Sequence, residues 1–240
     1  MCEITEQDWG VVQTGINTCD ECQSECLFEQ VSPPPCRPWN PVHRGRLLFI
    51  SEAPPVSGGF WQVGVKDNLR KNILELLRDH GLLVPSDIYR WEALGVFLSG
   101  GFFLVQTLKW PLAQRKRKQR PGFNQLGPAQ KRRLIIHSVS ARLRYELELI
   151  APRGILALGN AAWQACVKLS QHPLTSQSGK METLRCGDYQ VVLPNGSIPL
   201  NVTYLPVSKI MKDQKKAKAV REDIGRFLNR HNWGNAQSTN

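Results

Sequence analysis

Leu47-Leu48-Phe49-Ile50 is an unbroken apolar run that a Pro54-Pro55 pair and then Gly58-Gly59 cut short, which predicts a buried strand. Polar and apolar positions then take up helical spacing near residues 66–80, with Leu69, Ile73, Leu76 and Leu77 on one face and Gly81 closing the segment. Phe102-Phe103-Leu104-Val105-Gln106-Thr107-Leu108 has strand character and ends at Lys109-Trp110-Pro111. Pro128 opens a long helix whose buried stripe is Val139, Leu143, Leu147 and Ile150. Gly154-Ile155-Leu156-Ala157-Leu158 reads as a third strand running through Gly159-Asn160 into another helix. A hairpin follows, Tyr189 to Leu193 and Leu200 to Leu205 around Pro194-Asn195-Gly196, and a last helix turns Val220, Ile224, Phe227 and Leu228 inward.

Strands alternating with helices predict an α/β three-layer sandwich around a central four-stranded, mostly parallel sheet. The strand ends at Glu52, Lys109, Gly159 and Leu205 are then expected at one edge, where open α/β sheets bind ligands. The chain divides into a Cys- and Pro-rich segment (1–45), the α/β domain (46–228) and a polar tail (229–240). Glu52 either caps a turn or serves as an acid-base group. The aromatic pair Phe60-Trp61 stands on the loop behind it, and at most one ring of such a pair is expected to face a ligand.

Composition narrows the partner. The net charge is +11, which points to a polyanion, and nucleic acid precedes membrane because no amphipathic or lipidation signal accompanies the charge. The N-terminal Met1-Cys2-Glu3-Ile4-Thr5-Glu6 carries no secretory signal, and no run approaches the roughly 20 apolar residues that span a bilayer. The expectation is a soluble, cytoplasmic, monomeric protein with no membrane partner. No Walker or dinucleotide glycine pattern occurs, so no nucleotide cofactor is expected. Basic residues come in runs, Arg115-Lys116-Arg117-Lys118 after the second strand and Lys209, Lys212, Lys215, Lys216 after the fourth. They are either solvated faces or two banks that hold phosphates beside a pocket.

Of 7 cysteines, Cys19, Cys22, Cys26 and Cys36 crowd into one segment as C-x2-C-x3-C-x9-C. Four thiolates in one loop close a tetrahedral zinc site or hold a 4Fe-4S cluster, and the spacing does not choose. Cys166 and Cys186 read as ordinary buried thiols. The five histidines are scattered, and none is assigned a catalytic role.

Leu-Phe-Ile-Ser-Glu-Ala-Pro-Pro, the Gly-x-Phe loop, the strand ending at Lys109, Gly154-Ile155-Leu156-Ala157-Leu158-Gly159-Asn160 and Thr203-Tyr204-Leu205-Pro206 stand in the order of the uracil-DNA glycosylase superfamily. The chain resembles this superfamily over about residues 45–228, nearest to its iron–sulfur type, family 4. The resemblance implies a monofunctional DNA glycosylase that flips a deaminated base out of DNA and hydrolyses its N-glycosidic bond in base excision repair. It implies catalytic roles for Glu52, which activates water or stabilises an oxocarbenium-like sugar, and Gln106, which stands where family 4 reads the base with asparagine. Ser51, Ala53, Phe60 and Asn160 are the implied base-binding residues, with Phe60 as the stacking ring. Lys109, the Arg115–Lys118 run and the loop Leu205, Pro206, Val207, Ser208, Lys209 are the implied DNA contacts. The cysteine segment is implied to hold the cluster rather than zinc. Leu205 replaces the histidine that stabilises the departing base, and two of the family's cluster cysteines have no counterpart near Trp110 and Val139. The alternative is a catalytically silent DNA-binding relative.

Overall fold

The computed structural model describes residues 3–4, 7, 42–43, 45–55, 59–109, 126–172, 174 and 179–233. Two short strands, β1 (Glu3–Ile4) and β2 (Val42–His43), pair antiparallel ahead of the main sheet. That sheet contains β3 (Leu47–Ser51), β4 (Phe102–Gln106), β5 (Gly154–Leu158), β6 (Tyr189–Leu193) and β7 (Gly196–Thr203), in the order β4-β3-β5-β7-β6. All neighbours are parallel except β6 and β7. The expected four strands are therefore five. The first arm of the hairpin joins as an antiparallel edge, and β7 begins at Gly196, directly after the Pro194-Asn195 turn. Strands β3, β4 and β5 are buried along their whole length because both faces of the sheet are covered by helices.

Helix α1 (Asn68–Arg78) starts where Asp67 accepts the backbone N–H of Arg70 at 2.6 Å. Its Ile73, Leu74, Leu76 and Leu77 are buried. A helix not foreseen in the sequence, α2 (Trp91–Ser99), completes the crossover to β4 and buries Phe97 against Phe49 and Phe102. The long helix after Pro128 is α3 (Pro128–Ser138), a π-helical turn (Val139–Leu143) and α4 (Arg144–Ile150). The expected stripe of Val139, Leu143, Leu147 and Ile150 is buried throughout. Helices α5 (Asn160–Leu169), α6 (Met181–Leu184), α7 (Ser208–Lys212) and α8 (Gln214–Arg230) complete the chain.

Phe49 gathers Phe97, Phe102 and Phe227 at ring separations of 5.9, 5.8 and 6.0 Å. Each such buried ring stabilises the fold by about 1.5–3 kcal/mol. Within the segment expected as a polar tail, Trp233 is buried, packs on Phe102 and donates its Nε1–H to the Gly100 carbonyl at 2.7 Å. Among the described residues, no helix is long and apolar enough to cross a membrane.

Candidate functional site

The carboxyl ends of β3, β4, β5 and β7 share one edge of the sheet. The chain steps from β3 outward to β4 and then returns to β5 on the other side, so a topological switch point lies between β3 and β5. Beside it is a cleft of about 430 Å³. Its lining comes from four stretches of chain: Ser51, Glu52, Ala53 and Pro55; Gln106; Lys66 to Leu69; and Leu205 with Val207, Ser208 and Lys209. Of the anticipated site residues, Ser51, Glu52, Ala53, Gln106, Leu205, Val207, Ser208 and Lys209 meet here.

Backbone bonds fix the floor. Beyond the strands, Thr107 N–H donates to the Ser51 carbonyl and Leu108 N–H to the Glu52 carbonyl, each at 2.8 Å. Ser138 Oγ donates to the Thr107 carbonyl, and Lys109 Nζ donates to the Gln106 carbonyl and to Glu146. Ser51 is 1 % exposed, and its hydroxyl has no hydrogen-bond partner among the described residues. An unpaired buried hydroxyl costs about 1–3 kcal/mol; Thr107 Oγ1 is in the same position, but of the two residues Ser51 is the one that lines the cleft.

The α1 wall is held by Arg70, which is fully buried. Its guanidinium donates to the carbonyls of Phe60 and Gln62, each at 3.0 Å, and of Val65 at 2.5 Å. Three carbonyls on one rigid fork fix the loop that leads to Lys66 and Asp67. Burial pushes the Asp67 carboxyl up, against the pull of the Arg70 N–H and charge. The third wall is set by Gly159, whose φ of +86° suits glycine; a Cβ there would meet Leu205 Cβ at 3.1 Å. Exposed Lys66, Ser208 and Lys209 form a basic, polar rim. Ala53, Pro55, Leu69 and Leu205 give the cleft apolar walls.

Several expected site residues fall elsewhere. Phe60 is 0 % exposed: its ring packs on Trp61 at 5.0 Å and Phe97 at 5.1 Å, so it is a core residue and presents no face for stacking. Trp61 is buried as well, with its Nε1–H on the Leu104 carbonyl at 3.1 Å. Both rings of the pair turn inward because the aromatic cluster around Phe97 has room for both. Lys109 is 4 % exposed and forms a buried ion pair with Glu146, which makes it a clamp on the end of β4 rather than a DNA contact. Burial pushes the Glu146 carboxyl up, and the Lys109 charge pulls it back. Asn160 is the exposed first residue of α5 and lines a separate groove with Trp163 and Arg132. Pro206 is buried and meets Asn72 through its carbonyl. Cys166 is buried, which pushes its thiol up to about 12, whereas Cys186 is exposed, contrary to the expectation of a buried thiol. Arg115, Lys116, Arg117 and Lys118, and Cys19, Cys22, Cys26 and Cys36, lie outside the described residues.

Lys66, Asp67, Asn68 and Leu69 were not foreseen as cleft residues. The only sequence signal was the polar start of the amphipathic helix, which reads as a cap. A wider groove of about 880 Å³ runs along α8, but its arginines are engaged. Arg221 pairs with Asp79, Arg226 donates to the Arg185 carbonyl, and Arg230 meets Asp188 and Asn201. It holds no strand end, so the smaller cleft is the better candidate. Among the described residues, no group of three or more His, Cys, Asp or Glu side chains is arranged to hold a metal ion. Compared with models of known protein families and with curated proteins, the chain matches none.

Proposed function

We propose that the chain is a monofunctional DNA glycosylase acting on uracil or another deaminated base, such as hypoxanthine or xanthine, flipped out of DNA. The observation that carries this reading is the convergence of Glu52, Gln106 and the Leu205–Lys209 loop on one cleft at the carboxyl edge of the sheet. The Glu52 carboxylate takes a proton from water as the water oxygen bonds to the sugar C1′. The C1′–N bond breaks with its electron pair leaving on the base nitrogen. Leu205 offers no hydrogen bond to that departing base, so its negative charge is met by the polar floor, Gln106 and Ser51. With Phe60 in the core, the base is held between the apolar walls instead of against a ring. Lys66 and Lys209 at the rim suit flanking phosphates, which position the strand without reading its sequence. The same proposal includes a 4Fe-4S cluster, or zinc, on Cys19, Cys22, Cys26 and Cys36. Iron, sulfide and zinc analysis of the purified protein checks it.

The burial of Phe60 and the presence of Leu205 favour a second reading, a catalytically silent relative that binds DNA through the same cleft and rim. Duplexes containing uracil, hypoxanthine or xanthine, incubated with the protein and then treated with alkali, separate the two. Scission at the altered base is the expected result. Salt-sensitive binding without scission overturns the glycosylase and leaves the silent relative.

A further inference from the structure

We infer that Ser51 is a specificity-determining residue and that, together with Gln106, it reads an imide: a ring edge presenting carbonyl, N–H and carbonyl in succession. This rests on the cleft being a base-binding site. Ser51 and Gln106 end adjacent parallel strands and are register partners. Their side chains therefore leave the same face of the sheet about one strand spacing, ~4.8 Å, apart, and both line the cleft.

The Gln106 carboxamide carries a donor and an acceptor side by side, the complement of a ring carbonyl next to a ring N–H. The Ser51 hydroxyl adds a donor one strand away, and no group among the described residues uses it. The second carbonyl of an imide, on the far side of the ring N–H, is the ligand group that satisfies it. Uracil and xanthine present this edge. Hypoxanthine presents one carbonyl, the N–H and then a C–H, which leaves the hydroxyl as unpaired as it is without a ligand. The site is thus built for the imide products of deamination, and hypoxanthine is its poor substrate.

The test is titration of free uracil, xanthine and hypoxanthine into the full chain and into Ser51→Ala by calorimetry. The two imides are expected to bind about tenfold or more tightly than hypoxanthine, because a site built around a hydrogen bond discriminates against the analogue lacking it. Ser51→Ala is expected to erase that preference by weakening the imides alone, with no loss of thermal stability, since the removed hydroxyl has no partner in the fold. Equal binding of all three bases, a uniform effect or none from Ser51→Ala, or no binding of any base overturns the inference. Cleavage is a separate readout. A protein that prefers imides yet cuts no duplex keeps this inference and loses the glycosylase. One that cuts hypoxanthine and uracil duplexes equally, and is indifferent to Ser51→Ala, does the reverse.

Discussion

Asn72, on the inner side of α1, donates its side-chain amide to the carbonyl oxygen of Pro206 at 2.6 Å, joining two cleft walls that lie 134 residues apart in the chain. Asn72→Ala leaves a buried carbonyl unpaired and is expected to destabilise the fold by about 1–3 kcal/mol. Urea unfolding measures the loss. Hydrogen exchange at Val207 and Ser208 should rise in the same variant, and an unchanged midpoint would show that the tie contributes nothing.

Glu52→Ala tests the chemistry apart from the grip. Removing a general base costs typically about 10²–10⁴ in rate, whereas the rim lysines remain in place. Single-turnover cleavage should fall by that order while fluorescence anisotropy reports DNA affinity close to that of the unaltered protein. A variant that keeps its full rate would remove Glu52 from the mechanism.

Lys66 and Lys209 should act as phosphate contacts. Replacing either with alanine is expected to weaken DNA binding alike for all sequences and to make the log Kd against log salt plot shallower by about one contact's worth. An unchanged slope in the double variant would place the DNA on another surface.

His231 supplies a pH signature of the fold. Its ring meets Phe227 edge-on at 5.0 Å, its Nε2 is buried without a hydrogen-bond partner among the described residues, and the charged groups that bear on it are Arg153 and Arg230. Burial first, then those two cations, lowers its pKa from 6.5 to about 4. The folded state therefore prefers the neutral ring, while the unfolded chain takes up a proton already near pH 6.5. The stabilisation is present above that pH and is lost as the pH falls from 6.5 towards 4. His231→Phe should remove this component. The difference between the two proteins' stabilities across that interval is the measurement, and parallel pH curves would refute it.

The parallel strands β3, β4 and β5 were legible because an unbroken apolar run bounded by glycine and proline has few other uses in a chain of this size. Leu47–Ser51, Phe102–Gln106 and Gly154–Leu158 fall where the pattern puts them. The edge hairpin was visible, but its first arm was not recognised as a strand of the main sheet, since pairing partners are not written locally. The helix Trp91–Ser99 went unseen because Gly95 interrupts its pattern and Gly100-Gly101 follow closely. Site residues at strand ends, Ser51, Glu52 and Gln106, could be read because topology alone carries them to the edge. Phe60 and Lys109 could not. Whether a ring turns inward depends on the space left by Phe97, and whether a lysine reaches solvent depends on Glu146, which lies 37 positions further on. Distant partners of this kind leave no periodic trace.

The indole of Trp233 has a practical bearing on how short the polypeptide can be made. Ending it at 228, where the amphipathic pattern stops, would strip the cover from Phe102 and leave the Gly100 oxygen without its donor. It would also uncover the edge of β5 at Gly154, where the His231 imidazole fills the space a Cβ would occupy. Any shortening at this end therefore has to keep Trp233 and the residues before it.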